Sequence, residues 1–529
     1  MNLRKSIFFF LLISAVFCME CAQKYAEESH INTSIGDDQE NPSVIMLDNF
    51  DTYFTWTSEE EKRVLLRYFT NGTESAQTNE ITVNTGSETG ENRKNRFALI
   101  PSDSSVAVVF ESNDLNDGSS YGIFCRVFDK DGDALGTEFQ VNSITTNVQK
   151  NPDVCVTTDD NDRLVFVYVS VMGTEFNNIY FSIFDQDGTR KITEDAVVNN
   201  DDTEKIRLNP KVIALKSVTR VAVVWEEDTN LYGRMLDYSG NTLTEPFILS
   251  SVTANTQQNV NLVALNANGD WMAVWQSEDQ DGDEGYGIFG QKFDYKGEKI
   301  GDEIHINTYT DNDQTYPDIA VLNNEKQSIV VVWQSYAQSE LDWIIYLQMF
   351  DSNNEKLGSE LRMYTGDAEN VQMAGISGNE NRFIITYESF NDEDDSQLGI
   401  FAQQYYLHSG PTALKKFTQQ RATHGTFFEY TFEDDYFSGI NLEYTAKQKD
   451  GSNLPSWLSF DGSERKFSGD PPEENDFVYV NIIATDSCQG KSVSENIDIE
   501  IRKADQTSAA VFSIPSIFSI IFFIIIFWI

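Results

Sequence analysis

The amino-acid sequence predicts an all-β protein in two parts: a seven-bladed β-propeller closed by its own N-terminal strand, then a compact β-sandwich. Three observations predict it. An aromatic strand motif recurs seven times, a turn-bearing hairpin follows most of its copies, and the start of the chain repeats a stretch from its own middle. That last match is ungapped: residues 28–49, ESHINTSIGDDQENPSVIMLDN, against residues 303–324, EIHINTYTDNDQTYPDIAVLNN.

The aromatic motif is a strand pattern followed by small or acidic residues. It stands at Trp56, Phe110, Tyr168, Trp225, Trp275, Trp333 and Tyr387, with spacings of 50 to 58 residues. A fixed order with variable spacing marks one supersecondary unit used repeatedly. Residues 286–308, YGIFGQKFDYKGEKIGDEIHINT, alternate like a strand, turn at DYKG and alternate again. That is the signature of a hairpin. Related hairpins stand at 122–143, 179–200, 231–250 and 344–365, and short strands such as PDVCVT (152–157), PKVIAL (210–215) and PDIAVL (317–322) precede the aromatic ones. Four short antiparallel strands per unit make a propeller blade.

The hairpin at 398–410 has no following strand of the INT type, whereas Ile31-Asn32-Thr33 has no preceding hairpin. One surplus at the start matches one deficit at the end. Placing the first strand in the last blade completes seven blades over residues 28–410 and removes exposed edges. These units are similar to tandem repeats of secreted bacterial surface proteins, best at 271–335. The resemblance implies a surface protein and calcium, and no reaction.

After Gly410 the aromatic pattern stops. FEYTF, LEYTAK, VYVNIIAT and ENIDIEI alternate as strands, with turns at KDGSNLP, FDGSE and GDPPEEND, which fits a sandwich over 411–503. Between Phe432 and Asp486 the order of an acidic F-x-D stretch, L-x-Y, DG-x-x-LP-x-WL-x-F, F-x-G-x-P and ATD resembles a dystroglycan-type cadherin-like domain. That resemblance implies an immunoglobulin-like adhesion module linked to calcium, with Trp457 and Leu458 in its core.

Residues 1–22 have a basic start, an apolar run and small residues, which predicts a secretory signal peptide. Residues 504–529 form a membrane-anchoring tail in which the apolar run 511–529, with no basic residue behind it, is preceded by Ser508, Ala509 and Ala510. This predicts a glycosylphosphatidylinositol anchor with Ser508 as acceptor, or a retained transmembrane helix, at the extracellular face of the plasma membrane. The 529 residues carry 84 acidic and 38 basic side chains, a net charge of −46. Such a field excludes nucleic acid as a partner. With 12% aromatic residues the chain is folded, not a disordered acidic tract.

Calcium takes oxygen ligands from aspartates alternating on turns. The candidates are Asp279, Asp281 and Asp283 in EDQDGDEG, and Asp434, Asp435 and Asp486 in the sandwich; Asp129, Asp131 and Asp133 read instead as a plain hairpin turn. Asn32 and Asn71 stand in glycosylation sequons. Cys125 and Cys155 are either a disulfide or two buried thiols. His30 and His305 occupy equivalent outer strands, and no hydrolase elbow, zinc helix or phosphate loop is present. No catalytic residue is assigned. The expected function is non-enzymatic adhesion or recognition of a surface protein or glycan. The alternatives are a propeller-type glycan hydrolase and a structural coat protein.

Overall fold

Isoleucine, valine and aromatic residues dominate the second and third strands of each repeat because both faces of those strands are covered. In the sixth repeat Ile329–Tyr336 is buried from Ile329 to Ser335, and Trp343–Phe350 from Ile344 onward. The computed structural model describes residues 22–503, apart from 27, 35–36, 74, 87–89, 114–120, 173–175, 200–204, 283, 325–326, 337, 339–342, 364–368, 391–397, 408–409, 440–441 and 487–490. The leader, the tail with Ser508, Asp283, Cys21 and Cys488 lie outside the described residues. The chain divides into two compact units, Met1–Ser409 and Gly410–Ile529.

In the first unit, seven antiparallel sheets follow one another among the described residues. Their first strands are Gln39–Met46, Asn92–Ile100, Gln149–Val156, Arg207–Ala214, Gln257–Ala264, Gln314–Val321 and Glu369–Asn379. Each of these lies against its counterparts in the sheets before and after, and that of the seventh lies against that of the first. The second strands carry the aromatic motif. Trp56, Phe110, Tyr168, Trp225, Trp275, Trp333 and Tyr387 are all buried.

The seventh sheet takes its outer strands from the other end of the chain. Ser29 pairs with Ala402 and His30 with Phe401, while Ala22–Lys24 runs along Tyr405–Leu407. The Ile31 amide then donates to the Ile400 carbonyl at 2.8 Å. The same bond recurs in every other sheet, from Val83, Val141, Val198, Leu249, Ile306 and Met363 to the carbonyls of Val64, Ile123, Ile179, Leu231, Ile288 and Ile345, at 2.8 to 3.0 Å. Apolar clusters fill the space between consecutive sheets. The cluster between the seventh and the first joins Ile31, Ile384, Ile400 and Ala402 to Val44, Phe54 and Trp56.

Every first strand is interrupted by a bulge. In six of them one residue adopts left-handed backbone: Asn41, Lys94, Asn151, Asn209, Asn259 and Tyr316, with φ between 47° and 55°. Asparagine tolerates that conformation best among residues with a side chain, and it fills four of the six places. A bulge bends the strand and re-aims the residues that follow it.

The second unit is a sandwich. One sheet orders Gln420–Thr423, Ser492–Arg502, Asp476–Asp486 and Leu442–Gln448; the other orders Phe428–Thr431, Lys466–Gly469 and Leu458–Asp461. Val478, Val480, Ile482, Ile497 and Ile499 pack against Phe428, Phe432, Leu458 and Phe467. Trp457 is half-buried against this core, as the sequence suggests. Gly469 is required where it stands, since a Cβ there would fall 1.7 Å from the Trp457 carbonyl oxygen.

Candidate functional site

The bulges decide what faces the middle of the first unit. The residue two positions beyond each left-handed residue, and Gly375 in the seventh sheet, pairs with the residue just before the buried aromatic. This places Ser43, Arg96, Asp153, Lys211, Asn261, Asp318 and Gly375 at one equivalent level, one per sheet. All seven line a single cavity of about 1180 Å³ bounded by the first strands. The level holds two cations and two carboxyls, and Arg96, Asp153 and Lys211 come from consecutive sheets.

Three of these side chains hold the next sheet. Asp153 accepts from the Val212 amide (2.8 Å), Asp318 from the Ile376 amide (2.9 Å), and the Asn261 amide group donates to the Pro317 carbonyl (2.8 Å). Burial raises the pKa of both aspartates, and the nearby Lys211 and Arg96 offset part of it. Lys211 differs. No hydrogen bond or ion pair to its ammonium is found among the described residues. Burial, reinforced by Arg96, lowers its pKa to about 8, against the pull of Asp153, Asp318 and Glu226. A lysine so placed offers donors to a ligand. Tyr316 is the one aromatic residue of the lining among the described residues.

Four latches between consecutive sheets are seen among the described residues. The residue after the buried aromatic accepts the bulge amide of the following sheet: Glu111 from Asn151 (2.6 Å), Glu226 from Asn259 (2.8 Å), Gln276 from Tyr316 (3.0 Å) and Glu388 from Asn41 (2.6 Å). Burial pushes all three glutamates up, Glu388 to about 8. The acidic or amide residue of the recurring motif is thus a connector between sheets.

The residues singled out in the sequence are placed elsewhere. Among the described residues, no group of three or more His, Cys, Asp or Glu side chains is gathered to hold a metal ion. Asp434 and Asp435 lie exposed on a short 3-10 turn, with Asp435 paired to Lys415, whereas Asp486 is buried at a strand end opposite Leu442. These three do not converge. Asp279 shapes its own loop, its backbone amide bonding to the Gly285 carbonyl and its side chain accepting the Gly285 amide. Asp281 turns inward to within 3.9 Å of His305. Asp129 accepts the amides of Asp131 and Asp133, a turn geometry repeated at Asp237, Asp294 and Asp351.

Asn32 is buried, and its carboxamide oxygen accepts the Ile400 amide at 2.6 Å. The amide nitrogen that a glycan would occupy donates to the Ser34 carbonyl at 2.9 Å and is buried in the folded chain. Asn71 is half-buried and accepts from Arg382. Cys125 and Cys155 are free thiols on separate sheets and form no disulfide. His30 and His305 stack in the same way on Phe401 and Phe289, at 4.7 and 4.8 Å.

The charged level was not picked out from the sequence. Its signal was present in the aligned strands PDVCVT, PKVIAL and PDIAVL, where lysine replaces aspartate at 211.

A family described as "Putative Ig domain" matches residues 411–501, which fits an immunoglobulin-like second unit. No curated protein sequence matches the chain. Among solved structures, a protein of unknown function from Dyadobacter fermentans is similar with TM-score 0.43 at 8% identity, over 73% of this chain and 100% of that one. The NanB sialidase of Streptococcus pneumoniae gives 0.41 at 8%, over 71% and 69%. The GH93 α-L-arabinofuranosidase of Fusarium graminearum gives 0.42 at 10%, over 60% and 93%.

Proposed function

We propose that the first unit is a seven-bladed β-propeller closed by its N-terminal strand, and that it recognises a polar ligand in its central channel. The chain is then a secreted protein held at the cell surface by its apolar tail, with the second unit serving as a dystroglycan-type cadherin-like module. Seven sheets, cyclic neighbours among their first strands and the bond from Ile31 to Ile400 support the closure. One observation carries the recognition. In a repeat whose outer backbone bond recurs in all seven sheets, the level of Ser43, Arg96, Asp153, Lys211, Asn261, Asp318 and Gly375 differs at nearly every position, and it is the level that lines the cavity.

The ligand class that fits is a neutral, hydroxyl-rich molecule such as a glycan. The level carries two cations and two carboxyls among neutral side chains, and a net charge of −46 repels anions at long range. Glycan-array binding by the tail-less chain, wild type against Lys211→Met and Asp153→Asn, tests this. Selective binding that both substitutions reduce at least tenfold is expected. Binding that neither alters overturns it.

A second reading is a glycan hydrolase, favoured by two carboxyls of raised pKa sharing the cavity with Lys211. Such a pair could divide acid and base roles. Turnover of a panel of aryl glycosides that Asp153→Asn or Asp318→Asn abolishes would establish it. Binding without turnover decides for recognition.

A further inference from the structure

The immunoglobulin-like unit carries three exposed aromatic side chains at one end. Phe477 and Tyr479 are 43% and 50% exposed on the outer face of Asp476–Asp486, their rings 6.0 Å apart and nearly parallel. Phe427 is 56% exposed in the turn before Phe428–Thr431. Hydrogen bonds place the three segments that carry them at the same end of the unit. The His424 amide donates to the Arg502 carbonyl, Thr426 closes its turn onto Thr423, Asp476 pairs with Ile501, and Phe477 pairs with Glu500. All of these lie where the last strand, Ser492–Arg502, ends and the chain leaves toward its tail. The Lys503 amide is held there by Asn475.

Charged side chains surround the rings. Arg421, Lys449, Arg502 and Lys503 lie at this end, and the Lys449 amide bonds to the Tyr479 carbonyl. Asp450, Asp470, Glu473, Glu474 and Asp476 lie there too, and Asp498 and Glu500 stand directly across from Tyr479 and Phe477. Exposed aromatic rings flanked by Lys and Arg are the side chains of an interfacial anchor. Seven residues, 504–510, separate Lys503 from the apolar stretch 511–529. Fully extended they span about 25 Å. A lipid anchor at Ser508 or an inserted 511–529 keeps this end of the sandwich close to the bilayer, at a high effective concentration.

We infer that Phe427, Phe477 and Tyr479 form a lipid-facing rim that seats this unit in the headgroup layer of a zwitterionic bilayer. The inference rests on the tether proposed above and adds an orientation to it. A swivelling tether becomes a seated one, with the far turn at Asp461–Glu464 pointing away from the lipid.

The test uses the full chain in phosphatidylcholine vesicles, with and without lipids brominated on their acyl chains. A tryptophan is introduced at the rim (Phe477→Trp) or at the far turn (Ser463→Trp). Flotation with the vesicles is measured first. The expected result is flotation of both variants, with bromolipid quenching beyond that of the wild-type chain at least threefold greater for Phe477→Trp than for Ser463→Trp. Flotation with equal quenching at the two sites overturns the rim and leaves the tether intact. Failure to float overturns the tether, and the rim with it. Both substitutions are at accessible positions, and unchanged melting curves verify the fold. A triple alanine variant at 427, 477 and 479 adds a second readout. It should still float, while proteolytic cleavage at the His424–Phe427 turn becomes at least threefold faster than in the membrane-bound wild type. An unchanged rate overturns the rim.

Discussion

The fourth sheet and its neighbours solve one packing problem in two ways. At the start of the first strand, Gln149, Gln257 and Gln314 are buried opposite Ser170, Ser277 and Ser335. At the same register the fourth sheet has Arg207 opposite Glu227. The guanidinium donates to Glu227 at 2.7 Å and to the Asn177 carbonyl at 3.1 Å, both residues are buried, and the Trp225 indole approaches Glu227 at 3.4 Å. A neutral pair and an ion pair thus occupy equivalent places. The neutral pair can lose a partner at modest cost. The ion pair cannot lose Glu227, because Arg207 is then a buried charge without its carboxylate, whereas Glu227 keeps Lys205 as a second cation.

The largest expected effect breaks that pair. Glu227→Ser should destabilise the chain by about 4 kcal/mol, as removal of one partner of a buried ion pair does, measured by denaturant unfolding. Arg207→Gln with Glu227→Ser should restore stability to within about 1 kcal/mol of wild type, since it rebuilds the neighbours' solution. A double variant as unstable as the single one would show the two solutions are not interchangeable.

The seam tests the comparison between a sheet made from one stretch of chain and one made from both ends. Ile31→Ala should cost about 3 kcal/mol, the usual result of truncating a fully buried isoleucine. Ile306→Ala, the equivalent site in the fifth sheet, should cost about as much. A much smaller loss at Ile31 would mean the seam frays in solution.

The latches sharpen it further, because glutamate and glutamine fill the same role at 388 and 276. Burial raises the Glu388 carboxyl from 4.5 to about 8, so folding favours its protonated form. Its contribution is complete below pH 4.5 and is lost as the pH climbs through 8. Glu388→Gln should therefore leave the melting temperature unchanged at pH 4.5 and raise it at pH 8.5. Melting curves across that range check the sign. The smallest effect is at a turn. Asp294→Ala removes the acceptor for the amides of Lys296 and Glu298 and should cost about 1 kcal/mol.

The repeats were legible because each aromatic strand is buried on both faces, and the N-terminal strand was legible because its Ile-Asn-Thr reproduces one bonding pattern. The sandwich was legible from its turns. The charged level was not. Which residue faces the cavity depends on a bulge, and a bulge shifts the alternation that sequence reading relies on. Acidic turns misled in the other direction. An aspartate that folds back on its own turn amides looks, in sequence, like one prepared for a cation. Asn32 shows the same limit, since a sequon does not say which way its carboxamide points.

The closing bond also sets a schedule. Asn32 and Ile400 are 368 residues apart, and translation proceeds at roughly 5–20 residues per second. The N-terminal strand therefore waits roughly 20–70 s after its own synthesis before its partner exists. During that interval six sheets can form in order while the Ile31 strand stays without its final neighbour. The nascent chain is thus most vulnerable to wrong pairing at its oldest residues, and maturation ends where translation began.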